Sequence, residues 1–174
     1  MALMNTIDKA RRKIGNALSP GPSADDRDIL DTLKQEHEEV AALLDQLTSS
    51  DAAGARRSLL AKIKAALVPH VRAEEKVVYD AVIALRGKEA KQNGEEGYLE
   101  HSLADRVLAT LSKIEKPASP EFGAAAKVLK ELVTHHVEEE ERNVWKDVRE
   151  NFSDEERVAM NRKYEIAKSR VRVP

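Results

Sequence analysis

The segment Leu67-Val-Pro-His-Val-Arg-Ala-Glu-Glu-Lys-Val-Val-Tyr79 decides the fold, because it places a histidine and a carboxylate among aliphatic residues at helical spacing. His70 and Glu74 are separated by four positions, and residues at i and i+4 of a helix project from nearly the same side. The two side chains can therefore act together as ligands to one ion. A single HxxxE motif of this kind carries little information.

The second half of the chain repeats the arrangement as Val133-Thr-His-His-Val-Glu-Glu-Glu-Glu-Arg-Asn-Val-Trp145. His136, Glu140, Glu141 and Trp145 correspond to His70, Glu74, Glu75 and Tyr79. A further histidine precedes each motif, and these two, His37 and His101, are 64 residues apart. Two helix pairs of the same design, joined by short loops, predict an up-down-up-down four-helix bundle.

The composition predicts an all-α protein. The chain has 174 residues, the size of one domain, and contains only 3% aromatic residues, seven glycines and six prolines. A net charge of −2 with 34% charged residues indicates a mixed surface, so we expect neither nucleic acid nor a membrane as partner. The absence of cysteine excludes disulfides, thiolate metal sites and cysteine nucleophiles. No apolar run has the length of a membrane span and no secretory signal is evident, so we expect a cytoplasmic protein.

Breakers and caps divide the chain into three parts. Residues 1–24 form an N-terminal arm, with a short amphipathic helix, that ends in the linker Ser19-Pro-Gly-Pro-Ser-Ala24. Residues 25–152 form the bundle. Residues 153–174 form an extra C-terminal helix packed on the bundle, which opens with a capping box at Ser153 and Glu156 and carries Val158, Met160 and Ile166.

Four helices are expected within the bundle. The second, roughly residues 52–86, contains Pro69, which predicts a kink just before His70 rather than a break. Gly87 and Asn93-Gly94 predict the loop to the second half, and Ser119 with Pro120 predicts the start of the fourth helix. The inward positions of the second helix are predicted to be Leu60, Ile63, Leu67, His70, Glu74, Val77 and Ala81.

Six ionisable residues fall at predicted core positions, namely His37, His70, Glu74, His101, His136 and Glu140. Burying such groups unpaired costs several kcal/mol each, so their convergence requires a compensating cation. Nitrogen and carboxylate ligands without sulfur suit iron, manganese or zinc. Six ligands exceed the needs of one tetrahedral zinc, whereas two metals bridged by the carboxylates use them all.

In these residues the chain resembles the hemerythrin-like HHE cation-binding domains. The resemblance is carried by Leu33-Lys-Gln-Glu-His37, His70-Val-Arg-Ala-Glu-Glu75, Glu100-His101 and His136-Val-Glu-Glu-Glu-Glu141, over residues 28–150. It implies a bundle that holds a non-heme di-iron centre with an oxo, hydroxo or water bridge, and dioxygen-related or redox chemistry. By this resemblance the four histidines are terminal ligands, Glu74 and Glu140 bridge two iron ions, and zinc or manganese can substitute.

The chain departs from the oxygen-carrying hemerythrins, which have five ligand histidines and an aspartate five residues after the last one. Here His135 is the remaining histidine, rotated ~100° from His136 on a helix, and Glu141 stands at the five-residue spacing. A place left for water or an exogenous ligand favours reactivity or sensing over reversible oxygen carriage. Glu75, His135 and Glu141 remain open as hydrogen-bond acceptors around the ligands or as alternative ligands. Tyr79 and Trp145 are expected to be core residues beside the site.

We therefore expect a di-iron protein that binds or senses dioxygen, or responds to oxidative or nitrosative stress. Its partner would be dioxygen or another small diatomic or peroxide ligand. One alternative is a di-iron oxidoreductase acting on peroxide or nitric oxide. The other is a helical interaction module whose metal is structural.

Overall fold

The described part of the chain is all-helical, as the composition predicts. The computed structural model describes residues 26–173, and no β-strand occurs in that range. The predicted N-terminal arm, residues 1–24, lies outside the described residues. No helix within residues 26–173 combines the length and apolar character needed to cross a bilayer.

Seven α-helices and one π-helical turn follow one another along the described chain. They are α1 (Ile29–Ser49), α2 (Ala53–Glu74), the π turn (Glu75–Tyr79), α3 (Asp80–Ile83), α4 (Lys88–Lys113), α5 (Pro120–Arg142), α6 (Val144–Asn151) and α7 (Asp154–Ser169). The longest helices pack side by side: α1 contacts α2 and α5, and α4 contacts α5 and α2. Since α1, α2, α4 and α5 carry the predicted ligands, this packing brings the ligands to one interior.

Side-chain caps begin three of the helices, two of them at residues expected from the sequence, Ser119 and Ser153. The Asp28 side chain accepts a hydrogen bond from the Leu30 N–H at 2.9 Å, and Ser119 caps α5 by accepting from the Phe122 N–H. Ser153 and Glu156 form a reciprocal capping box at α7. These bonds satisfy N–H groups that have no partner within the helix.

The connection to the second half lies at Gly87, as predicted, but its predicted extension to Asn93-Gly94 is wrong, because α4 begins at Lys88 and both residues lie inside it. A Cβ atom on Gly94 would lie 2.6 Å from the Ile83 side chain, and one on Gly97 would lie 2.6 Å from the Tyr79 ring. These glycines therefore allow α4 to approach its neighbour closely. The apparent turn signal is in fact a packing requirement.

The π turn shifts the buried stripe of the second helical segment by one residue. Helix α2 continues through Pro69 without a break, and the departure from α geometry comes later, at Glu75–Tyr79. A π turn contains more residues than an α turn, so the inward positions after it move along the chain. Val78 and Val82 are fully buried in place of the predicted Val77 and Ala81, which are half-buried.

The equivalent position in the second half is also irregular. Helix α5 ends at Arg142 and α6 begins at Val144, with Asn143 between them at φ −102° and ψ −59°. In the repeat, residues 141–145 correspond to the π turn at 75–79. Both HxxxE helices thus change geometry directly after the motif, as helices often do at functional sites.

The C-terminal helix α7 packs against α1 and α2. Of the apolar residues noted in this helix, Met160 is buried, Val158 is half-buried and Ile166 is 53% exposed. The inward side of α7 is formed by Met160, Asn161 and Tyr164, which follow each other at helical spacing. This brings a buried tyrosine towards the interior between α1 and α2.

The apolar core is divided into two clusters. One contains Val40, Leu44, Leu67, Leu108 and Leu129 among others, and the second contains Leu33, Ala73, Tyr79 and Trp145 among others. His37 follows Leu33 of the second cluster and precedes Val40 of the first. The polar residues therefore form a layer between the two clusters.

Candidate metal centre

The polar layer contains all six predicted ligand residues. Helix α1 contributes His37, α2 contributes His70 and Glu74, α4 contributes His101, and α5 contributes His136 and Glu140. All six are buried, and the two glutamates are among the most deeply buried side chains of the described chain. The structure thus brings together residues that are far apart in sequence.

Two groups of ligand atoms meet within 4.8 Å in this layer. One comprises His37, His70 and Glu74, and the other comprises Glu74, His101 and His136. Glu74 belongs to both, since its Oε2 lies 3.4 Å from the His70 Nε2 and 3.5 Å from the His101 Nε2. A single carboxylate thus lies between two pairs of imidazoles.

Glu140 also lies between the two histidine pairs, next to the other histidine of each pair. Its Oε2 lies 3.4 Å from the Nε2 of His37 and 3.7 Å from the Nε2 of His136. Each carboxylate therefore reaches one histidine from each pair. This is the placement expected of two carboxylates that span two metal positions.

Each of the four histidines turns its other ring nitrogen to a carboxylate. The Nδ1 atoms pair with Glu141 for His37 at 3.2 Å, Glu36 for His70 at 3.0 Å, Glu75 for His101 at 3.3 Å and Glu100 for His136 at 2.6 Å. A carboxylate at Nδ1 favours the tautomer with its proton there, which leaves the Nε2 lone pair facing the centre of the layer.

Two of these four carboxylates were not predicted from the sequence. Glu75 and Glu141 were candidates, and the structure places them at the outer nitrogens of His101 and His37. Glu36 and Glu100 were missed, although each directly precedes a core histidine in the repeat. His135 is 63% exposed, belongs to neither ligand group, and lies with its Nε2 3.5 Å from the Glu100 Oε1.

Two aromatic residues lie beside the layer and are buried, as expected. The Tyr79 hydroxyl lies 3.5 Å from the Glu74 Oε2 and 3.4 Å from the His136 Nε2. The Trp145 ring stacks on the His37 imidazole with a centroid separation of 5.8 Å. Tyr79 and Trp145 occupy equivalent places in the repeat, and both cover the end of the polar layer that faces the second apolar cluster.

A third aromatic residue, Tyr164 of α7, was missed because it lies outside the repeat. Its hydroxyl donates a hydrogen bond to the Glu36 Oε2 at 2.6 Å and lies 3.0 Å from the His70 Nδ1. The Lys168 ammonium donates to the other oxygen of the same carboxylate. Nothing in a search for repeated motifs could have pointed to either residue.

The surroundings of each group determine its protonation in the metal-free protein. Burial lowers the pKa of His37 and the pKa of His101, which favours the neutral imidazole that metals bind. Burial also lowers the pKa of His70, but Glu74 and Glu36 outweigh it and raise that pKa to about 9.

The two central carboxylates differ. Burial raises the pKa of Glu74, but the charge of His70 outweighs it, so the pKa falls well below the usual value. Burial and the neighbouring Glu74 raise the pKa of Glu140. These surroundings therefore favour the ionised form of Glu74 and the protonated form of Glu140 when no metal compensates them.

The layer fits a pair of cations. Four of its buried polar atoms have no hydrogen-bond partner in the described part of the chain, namely the His37 Nε2, the Glu74 Oε1 and both oxygens of Glu140. Buried polar atoms without partners are rare and costly in folded proteins, and direct bonds to a cation remove that cost. A donor set of imidazole nitrogen and carboxylate oxygen suits iron, manganese or zinc.

A small cavity of about 20 Å³ adjoins the histidines. Its polar wall includes the four histidines, and its apolar wall includes Val40, Leu67, Val71, Ala104 and Val133. A cavity of this size has room for about one water-sized molecule. The layer therefore has space for a small ligand on the side that faces the first apolar cluster.

An all-helical chain with two histidine pairs joined by buried glutamates defines a helical metal-binding protein. The family profile described as Hemerythrin HHE cation binding domain matches residues 28–148. This chain belongs to that family, which confirms the resemblance seen in its motifs.

A relative from Nostoc sp. (strain PCC 7120 / SAG 25.82 / UTEX 2576), named DNA nickase, is 29% identical to this chain over 158 residues. The match covers 91% of this chain but only 44% of the relative. The likeness therefore extends beyond the family domain into its flanking residues, while more than half of the relative has no counterpart here. No solved structure matches the chain.

Proposed function

We propose that the protein holds a non-heme di-iron centre and uses it to bind or sense dioxygen, or to respond to oxidative or nitrosative stress. The observation that carries this proposal is the shared position of Glu74, which belongs to both groups of ligand atoms. The proposal includes an up-down-up-down arrangement of α1, α2, α4 and α5, supported by the contacts between these helices.

In this proposal His37 and His70 hold one ion, and His101 and His136 hold the other. Glu74 and Glu140 span both positions, because each reaches one histidine of each pair. When bound, a di-iron pair supplies reversible electron transfer and open coordination for a small ligand. The chain itself orients the imidazoles, since a carboxylate at each Nδ1 keeps the Nε2 atoms turned inward.

The size and polarity of the adjoining cavity support a small ligand. About 20 Å³ lined by valine, leucine and alanine suits dioxygen, nitric oxide or peroxide better than a larger substrate. His135 lies outside both ligand groups found in residues 26–173, so it supplies no fifth histidine there. With four histidines rather than five, the proposed centre would leave a coordination place for a small ligand next to the cavity.

The test of this function is the spectral response of the iron-loaded protein. We expect an absorption band of the di-iron centre that changes on reduction and on adding dioxygen, peroxide or nitric oxide. Stoichiometric iron with no response to any of these ligands would overturn the proposal and leave a structural metal as the better account.

One observation favours the oxidoreductase alternative. The Tyr79 O–H lies beside Glu74 and His136, where it can donate a hydrogen bond to a small molecule bound at the layer. Sustained turnover of peroxide or nitric oxide with an added reductant would establish an enzyme. Tyr79→Phe should then slow turnover while leaving the metal content unchanged.

The name of the Nostoc relative raises metal-dependent DNA nicking as a further candidate. This candidate is supported by 29% identity to that relative over 91% of this chain. It is opposed by the net charge of −2, which does not favour a nucleic-acid partner. The test incubates supercoiled plasmid with the iron-loaded protein and with Glu74→Ala. Nicking by the first and not the second would support this candidate, and no nicking by either would reject it.

A further inference from the structure

The repeat relates the two halves of the polar layer, but the C-terminal helix lies against only one of them. Glu36 and Glu100 occupy equivalent places, each directly before a core histidine of its own helix. Each accepts a hydrogen bond from the outer nitrogen of the histidine in the following HxxxE motif. If the second half repeated every contact of the first, Glu36 and Glu100 would have the same additional hydrogen-bond partners. Their additional partners differ.

Glu36 is held at both of its oxygens. Its Oε2 accepts from the Tyr164 hydroxyl at 2.6 Å and from the His70 Nδ1 at 3.0 Å, and its Oε1 accepts from Lys168. The side chain of Glu36 is 14% exposed and that of Tyr164 is fully buried. A carboxylate with three donors from two directions has one orientation, and so does the imidazole bonded to it.

Glu100 is held at one oxygen only. Its Oε2 accepts from the His136 Nδ1 at 2.6 Å, while its Oε1 has the exposed His135 at 3.5 Å. Helix α7 contacts α1 and α2, and within residues 26–173 it has no equivalent in the repeat beside α4 and α5. Glu36, beside His70, is therefore oriented more firmly than its counterpart Glu100, beside His136.

We propose that Tyr164 is a positioning residue that strengthens metal binding at the His37/His70 position and leaves the His101/His136 position unaffected. The Tyr164 hydroxyl touches no proposed central ligand atom; it fixes Glu36 and the outer nitrogen of His70. Loss of such a partner around a metal-bound histidine typically lowers metal affinity by about 10- to 100-fold. This inference rests on the two-metal centre proposed above, and it assigns a role to a helix beyond residues 28–148, the extent of the family match.

The experiment titrates the metal-free protein with cobalt(II) and follows the two binding steps by absorbance and calorimetry. Tyr164→Phe keeps the ring and removes only the hydroxyl, so we expect one of the two ions to bind about tenfold or more weakly. Tyr98→Phe is the matched control. It also loses a bonded hydroxyl, but that hydroxyl donates to the Glu75 backbone carbonyl and to Asp80 rather than to a carboxylate facing a histidine.

Two further variants show which of the two metal positions Tyr164→Phe affects. In His101→Ala, which retains the His37/His70 position, Tyr164→Phe should still weaken the remaining ion. In His70→Ala, which retains the other position, Tyr164→Phe should change nothing. Helicity and melting temperature of the metal-free variants report any loss of folding, and if the histidine variants are unfolded, the two steps in the otherwise wild-type chain decide.

The outcomes separate this inference from the proposed function. A wild-type chain that binds fewer than two cobalt ions contradicts the two-metal centre itself. Two bound ions whose affinities are both unchanged, or both weakened equally, by Tyr164→Phe would overturn the positioning role alone.

Discussion

At the scale of single residues, Glu74 is the side chain on which both proposed metal positions depend. It is fully buried, lies within 3.5 Å of an imidazole nitrogen from each histidine pair, and retains an oxygen without a hydrogen-bond partner in the described chain. Glu140 lies 3.4 and 3.7 Å from an imidazole nitrogen of each pair and belongs to neither three-residue group. Glu74 and Glu140 therefore occupy equivalent positions in the repeat but differ in their contacts.

Glu74→Ala should lose the proposed bridge and at least one of the two proposed metals. Metal analysis of the purified variant beside the wild type measures this directly. Glu138→Ala is the matched control, because Glu138 lies on the exposed side of α5 within the second motif. If Glu74→Ala retained two metals per chain, Glu74 would not be the shared ligand.

Residue identities were predictable where the repeat doubled the signal. His37, His70, His101 and His136 each have a counterpart at nearly the same spacing, and all four were predicted. The same doubling extends to Glu36 and Glu100, which directly precede two of these histidines but were not predicted as part of the site. Tyr164 and Lys168 lie in a helix without a counterpart, so only three-dimensional packing places them beside Glu36.

At the scale of elements, the irregular turns after each HxxxE motif shape the site. The π turn at Glu75–Tyr79 turns Tyr79 into the interior, and the interruption at Asn143 precedes the buried Trp145. Helical periodicity assumes a constant number of residues per turn, so it predicted Val77 and Ala81 where Val78 and Val82 are buried. Only the backbone geometry reveals the extra residue.

Gly97 of α4 provides the space that Tyr79 occupies. Gly97→Ala would place a Cβ 2.6 Å from the Tyr79 ring, so we expect a loss of about 1–3 kcal/mol in the free energy of unfolding. Chemical denaturation of the metal-free protein measures the change.

Gly54→Ala is the control for this substitution. Gly54 lies in α2, and a Cβ added there would have no neighbouring atom within 4 Å, so alanine should be neutral or slightly stabilising. Equal effects of the two substitutions would show that close packing against Tyr79 is not the reason for a glycine at position 97.

At the scale of the whole molecule, a buried polar layer separates two apolar clusters. Six ionisable residues and four unpartnered polar atoms in such a layer of the described chain destabilise the metal-free fold. Ions that bind the folded chain and not the unfolded one offset this cost by mass action.

Removal of the metal by chelation should therefore lower the melting temperature. At a free metal concentration of 100 times the dissociation constant, binding contributes about 2.7 kcal/mol, which corresponds to a shift of roughly 5–10 °C for a chain of this size. Thermal unfolding followed by circular dichroism before and after chelation measures it. An unchanged melting temperature would show that the folded chain holds no metal and would exclude a structural role for it.

The all-helical class followed from composition, and the clustering of the ligands followed from the internal repeat, because both rest on many residues at once. The close approach of α4 to its neighbour could not be predicted from the sequence, because Asn93-Gly94 has the same local pattern in a turn as in a tightly packed helix. Long-range packing decides between the two.

The iron content of protein produced with excess iron tests the central claim most directly. The shared Glu74, the two histidine pairs and the spanning Glu140 predict two iron ions per chain by metal analysis. A ratio of one or fewer, with the wild-type chain folded, would contradict the di-iron centre.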